Sequence, residues 1–158
     1  MFRKIRRVKN ELSTERAKEL LHTNRRAAFS VHGDHGYPYA VPVNFYYEES
    51  ENKIYFHSAK AGHKLDAIRA NDKVCFTTWD DGVTEPGEWA PYVCSCIAFG
   101  RAHVVKEREV ALEKIRKMAL KYYPSAEEVE RVIAKDFDHA EMICIEIEHM
   151  SGKRIQER

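Results

Sequence analysis

Apolar and polar positions along the chain change period several times, and each change marks an element. Ala17, Leu20 and Leu21 recur at helical spacing behind Ser13, a good N-cap residue, so a first helix is predicted from Ser13 to Asn24. Strand-like runs follow. Ala27 to Val31 reads as the first strand, Gly33-Asp34-His35-Gly36 as a hairpin turn, and Tyr39 to Tyr47 as the second strand. A polar turn over Glu48 to Asn52 leads into a third strand, Lys53 to His57. A short helix comes next, with Ala61, Leu65 and Ile68 on one face. Val74 to Trp79 and Tyr92 to Val105 are the fourth and fifth strands, with Gly100 marking a bend in the fifth.

The last third opens with helices. Ala111, Leu112, Ile115, Met118, Ala119 and Tyr122 form one broad apolar face, and Tyr123-Pro124 ends that helix. Ser125 and Glu128 have the spacing of a capping box, so another helix starts there and buries Val129, Val132 and Ile133. Met142 to Glu148 alternates, Ile143, Ile145 and Ile147 against Glu146 and Glu148, which predicts a last strand with a wet outer face. The pattern is mainly β with helices (α+β), a barrel or sandwich in one domain over residues 1–158, without repeats or linkers.

Composition narrows the functional classes. The formal net charge of +1 gives no global electrostatic case for nucleic acid or an anionic membrane. No apolar run has the length of a spanning helix, and the basic start (Arg3, Lys4, Arg6, Arg7) has no apolar signal core behind it, so a cytoplasmic location is expected. Cys75, Cys94, Cys96 and Cys144 all fall in strand-like runs without a CxxC pair, so buried free thiols are expected rather than zinc ligands or disulfides. His32 and His35 flank a turn and are expected at the surface, with no metal site. No serine sits in a GxSxG elbow, and no catalytic side chain is singled out. Trp79, Trp89 and the Tyr37, Tyr39, Tyr46, Tyr47 group are expected in the core, although such rings also stack on ligands. Arg25 and Arg26 are expected to be solvated.

One stretch has unusual charges. Between the third strand and the short helix lies Ser58-Ala59-Lys60-Ala61-Gly62-His63-Lys64. A helix N-terminus carries partial positive charge and normally attracts acids. Here it carries Lys60, His63 and Lys64, with no acid before Asp66. Free backbone N–H groups, the Ser58 hydroxyl and these cations together suit a phosphate. Pro42 lies inside the second strand, where proline implies an edge, bulge or opening with backbone groups free for a ligand. A cofactor with a phosphate and a flat ring fits both features. The absence of GxGxxG and GxxxxGK[ST] disfavours Rossmann and P-loop nucleotide sites.

Tyr37-Pro38-Tyr39-Ala40-Val41-Pro42-Val43-Asn44-Phe45, Ile54-Tyr55-Phe56-His57-Ser58-Ala59, Gly62-His63-Lys64-Leu65-Asp66 and Asn71-Asp72-Lys73-Val74-Cys75-Phe76 occur in an order that resembles the flavin-binding split β-barrel family. The chain is similar, within it, to pyridoxamine 5'-phosphate oxidase-related proteins that include the nitroimidazole-resistance (Nim) type. Tyr92 to Val105 and His149-Met150-Ser151-Gly152-Lys153 resemble that family's long strand and C-terminal turn, and the likeness spans about residues 5 to 154.

The resemblance implies a six-stranded split β-barrel of the FMN-binding type, a homodimer with two cofactor sites at the subunit interface. By position, Pro42, Val43, Asn44 and Phe45 would border the isoalloxazine. His57, Ser58 and Ala59 would follow the ribityl-phosphate, with Gly62, His63 and Lys64 at the phosphate and Ser95 arriving from the partner chain. Lys153 or Arg154 would sit near the flavin ring as a tuning charge. The expected activity is reduction of small, electron-poor substrates such as nitroaromatics, with an electron donor such as NAD(P)H. F420 and haem are the alternative cofactors, with His57, His63 or His149 as the haem ligand; a flavin- or haem-binding module without catalysis, a pyridoxamine 5'-phosphate oxidase-like oxidase and a structural dimer are the alternative roles. The residues that bind pyridoxal phosphate in true oxidases of the family are not recognisable. The acidic loop Asp80 to Glu88 has no counterpart in the resemblance.

Overall fold

The β-branched and aromatic runs assemble into one antiparallel sheet. The computed structural model describes residues 1–158. Its strands are β1 (Ala27–His32), β2 (Pro38–Val43), β3 (Tyr46–Glu48), β4 (Lys53–Ala59), β5 (Lys73–Trp79), β6 (Tyr92–Val104) and β7 (Ala140–Gln156), in the spatial order β2-β1-β5-β6-β7-β4-β3. Four helices flank the sheet: α1 (Thr14–Thr23), α2 (His63–Ala70), α3 (Arg108–Tyr122) and α4 (Ala126–Asp136).

The fold is α+β, and the sheet has seven strands where the sequence pattern predicts six. The run over 39–47 divides at Asn44-Phe45, and its two pieces lie at opposite edges of the sheet order. Two residues bridge at most about 10 Å, so the sheet curls until those edges approach, yet β2 and β3 share no ladder. Proline accounts for the gap. Pro38 and Pro42 oppose His32 and Ala28 at the same parity of β2. Without N–H groups, they strip donors from the edge that faces away from β1.

The interior of the curl is packed with rings. Phe29 lies 4.7 Å from Phe56 and Phe45 lies 4.9 Å from Phe76, centroid to centroid, and all four are fully buried. α1 covers one end with Leu20 and Leu21, and its N-cap Ser13 accepts from the Arg16 N–H as the pattern predicts. The bend at Gly100 is a register shift between β6 and β7, where a Cβ would stand 2.1 Å from the Glu146 carbonyl oxygen.

Several expectations are corrected. The wet outer side of β7 is short: Glu146 and Glu148 face solvent, but Met142 on the same side is buried beneath α3 beside Tyr55 and Ala111, together with Cys144, whose burial the sequence pattern predicts. α2 starts at His63, so Ala61 lies outside it and is exposed, and Leu65, Ala67 and Ile68 form its buried face. Ser125 caps α4, but the Glu128 carboxylate turns to Arg131 instead of closing the box. Val129 is the one buried residue of α4. Trp79, Trp89 and Tyr37 are exposed, not core. The cysteines are free thiols, with Cys94, Cys96 and Cys144 buried and Cys75 half-buried.

Two charge networks hold the periphery. Lys114, on the supposed apolar face of α3, is buried against Glu48 and Glu51 and lies 5.1 Å from the Tyr55 ring centroid. Lys117 also reaches Glu48, at 2.7 Å, and together they hold the Glu48 carboxyl down at about 2. The acidic loop folds onto the end of β7: Glu85 pairs with Arg154, and Glu88 accepts from Gln156 and Arg158. No helix is long and apolar enough to cross a membrane.

Candidate functional site

The turn from β4 into α2 gathers hydrogen-bond donors without acid partners. Gly62 occupies the N-cap position at φ 137°, a conformation that leaves no capping side chain. The N–H groups of Leu65 and Asp66 turn to the Gly62 carbonyl, which leaves those of His63 and Lys64 at the open end of the helix. The Lys64 ammonium donates to the Ser58 hydroxyl at 3.1 Å, has no carboxylate partner, and holds that buried hydroxyl at the same spot. An uncapped helix end with an unpaired lysine and a serine hydroxyl is a donor set that suits a phosphate. His63 leans away from it. Its ring stacks on Tyr39 at 4.0 Å and stands 3.7 Å from the Asp34 carboxylate, beyond hydrogen-bond reach, so Nε2 has no partner.

Strand alternation splits the remaining residues between two faces. Ile54, Phe56 and Ser58 face the interior, while Tyr55, His57 and Ala59 face outward. His57 therefore does not share the Ser58 face; it enters a separate cavity of about 430 Å³. Asn44 and Ala140 join it on the sheet side, and Met118, Tyr122, Ile133 and Phe137 close the helical side. Crowding by the surrounding protein, then the Lys64 charge, holds the His57 imidazole below its ordinary range.

The break between β2 and β3 is not free for a ligand at every atom, as its proline had implied. The Tyr122 hydroxyl accepts from the Phe45 N–H at 2.9 Å and lies 2.7 Å from the Phe45 carbonyl and 2.8 Å from that of Arg25. Lys121 donates to the carbonyls of Asn24 and Phe45. Burial, then the Arg25 charge, pulls its ammonium down to about 8. Arg25 is not simply solvated: it reaches the Tyr122 carbonyl and lies 4.8 Å from that ring's centroid. Val43 packs on the core, and the exposed Pro42 and Asn44 side chains flank the gap.

Ser95 lies elsewhere in the protomer. It pairs with Lys153 of β7, whereas Ser58 pairs with Glu141. The two partners are separated by roughly 35–40 Å of strand, so one chain does not bring Ser95 to Lys64. Arg154 is committed to Glu85 and to the Tyr92 ring, 4.0 Å from its centroid. No three His, Cys, Asp or Glu side chains converge in a metal-holding group.

The sequence reading missed Tyr122, Lys121 and α4 as parts of this region. Tyr122 fits the apolar period of α3, and nothing in that period marks its hydroxyl as the partner of a backbone gap 77 residues away.

The sequence profile of the pyridoxamine 5'-phosphate oxidase family matches residues 13–154. The chain belongs to that family. Several solved structures share its fold at low identity. A protein of Bacteroides thetaiotaomicron described as a 5-nitroimidazole antibiotic resistance protein superposes with a TM-score of 0.75 at 19% identity, covering 92% of this chain and 87% of that one. A flavocytochrome of Azotobacter vinelandii gives 0.78 at 23%, over 98% and 73%. An FAD-binding protein of Mesorhizobium loti gives 0.66 at 22%, over 92% and 96%. No curated protein sequence matches this chain.

Proposed function

We propose that this member of the pyridoxamine 5'-phosphate oxidase family binds FMN at the β4–α2 turn and is an oxidoreductase acting on small, electron-poor molecules. The observation that carries the reading is Lys64: a cation on Ser58, with no carboxylate, at a helix N-terminus with no cap. Lys64, Ser58 and the open N–H groups of α2 hold the phosphate, and the β2–β3 gap at Pro42 to Phe45 borders the ring. When bound, flavin supplies the redox chemistry. The chain binds it, orients it and excludes water on one side. The family match and the flavin named in the descriptions of the Azotobacter and Mesorhizobium proteins support the same cofactor class.

A homodimer completes the site in this reading, with the curled sheet as a split barrel. Trp79, Ile97, Phe99 and Ile155 are exposed on strands β5, β6 and β7. A second copy covering that face by twofold symmetry buries these side chains and carries Ser95 toward the partner's flavin. The test is the purified protein itself. A flavin spectrum, FMN by mass after extraction and a dimer by light scattering are expected. A protein that stays colourless after FMN is added contradicts the reading. A Soret band without flavin selects haem instead, with His57, His63 or His149 as the candidate ligand.

A further inference from the structure

The cavity beneath α4 has no part in holding a phosphate, and its construction calls for an occupant. α4 is amphipathic, yet of its apolar residues only Val129 is buried; Val132 and Ile133 turn toward the cavity. At about 430 Å³ it has the size of a small-ligand pocket, and apolar walls left facing empty space forfeit contacts. Met118, Tyr122 and Phe137 supply a thioether and aromatic faces, which suit a flat ring. Asn44 and His57 are the polar groups on the sheet side, and Asn44 also belongs to the β2–β3 gap proposed to border the flavin ring. Asp136 is the one formal charge in the lining, which contains no lysine or arginine. Crowding, then the Lys64 charge, lowers the pKa of the His57 imidazole and so disfavours a cation there.

We propose that this cavity is the substrate pocket, that it takes an uncharged aromatic molecule of one or two rings, and that it rejects anionic ones. The proposal rests on the flavin reading for what happens to the molecule, and on the cavity alone for what binds. An anionic ring entering here meets the Asp136 carboxylate, and no lysine or arginine lines the cavity; Arg25 at the Tyr122 ring and Lys64 near His57 stand outside the lining. A phosphorylated ring therefore binds poorly, in accord with the lack of recognisable pyridoxal phosphate ligands in the sequence.

Nitrobenzene and 4-nitrobenzoate differ in one carboxylate and form the probe pair. Their binding to the full chain is read by broadening of ligand proton resonances, with and without FMN. Nitrobenzene is expected to bind at least tenfold more tightly than 4-nitrobenzoate in both conditions. Asp136→Asn should narrow that ratio several-fold. Ala119→Phe, which puts a ring into the cavity, should weaken nitrobenzene at least tenfold and leave FMN affinity within twofold; Val132→Phe, on the opposite wall, repeats the test should the first variant not fold. Equal affinity for the two probes, or unchanged nitrobenzene binding in the filled variants, overturns the proposal. Loss of FMN in the filled variants also overturns it, because the cavity would then belong to the flavin ring. Failure of FMN to bind wild type, with the probe results intact, contradicts the flavin reading and leaves the pocket standing.

Discussion

The Tyr122 hydroxyl serves both backbone polar groups of Phe45, 2.9 Å from its N–H and 2.7 Å from its carbonyl. One side chain of α3 thus takes the place of a neighbouring strand at the point where the sheet fails to close. Tyr122→Phe keeps the ring and leaves a buried N–H without a partner. The expected loss is about 1–3 kcal/mol in urea unfolding. A loss below about 0.5 kcal/mol would mean that water replaces the hydroxyl.

Glu48 gives the fold an acid limit. Hydrogen bonds from Lys117, Ser50, Tyr46 and Lys114 hold its carboxyl at about 2, against an ordinary 4.5. A depressed carboxylate contributes stability that is fully present above the ordinary value and is lost as pH falls through the folded one. Wild type should therefore lose stability relative to Glu48→Gln between pH 4.5 and 2. Thermal melts of both proteins across that range check it; parallel curves contradict it.

Gly62 is the least replaceable residue of the proposed phosphate turn. Its φ of 137° and ψ of 166° belong to glycine alone, although a Cβ there would meet no atom within 4 Å. Gly62→Ala should cost about 1–3 kcal/mol through backbone strain. Because relaxation of that strain moves the α2 N-terminus, FMN affinity should fall with it. Stability and affinity that both match wild type contradict this assignment.

The acidic loop has a structural explanation that a double-mutant cycle can weigh. Glu85 pairs with Arg154, whose guanidinium also lies 4.0 Å from the Tyr92 ring centroid. The pair is half-exposed, so its coupling should be at most about 1 kcal/mol. Arg154→Ala should leave the potential of bound flavin within about 10 mV, a shift worth well under 1 kcal/mol. A larger shift would restore Arg154 to the flavin ring.

The legible part of the fold is local. Ser13, Ser125 and the four-residue turn at Gly33 declare themselves by side-chain chemistry that acts within a few residues. The alternation of β7 fixes which residues point together, but not what covers them; Met142 shares the side of Glu146 and Glu148 and yet lies beneath α3. Lys114 is hidden for the same reason, since its burial depends on Glu48 and Glu51, more than 60 residues earlier. The division of 39–47 was half legible: Pro42 marks an interruption, but the Tyr122 hydroxyl that serves Phe45 arrives from a distant helix. Within the candidate site, Ser58, Gly62 and Lys64 are neighbours in sequence and could be assembled by reading alone. The cavity draws on α3, α4 and β4 together, and no single periodicity contains it.

The central claim is that Lys64 holds a phosphate, and a paired titration tests it most directly. FMN and riboflavin differ only in that phosphate, so wild type and Lys64→Ala are titrated with both. Removing the ammonium deletes a charge-assisted contact worth roughly 1.5–3 kcal/mol. FMN affinity should fall about 10- to 150-fold. Riboflavin affinity should barely change, and the fold should survive, because a lysine in the first turn of α2 is not favoured by the helix dipole. An unchanged ratio of FMN to riboflavin affinity would remove Lys64 from the site and contradict the account.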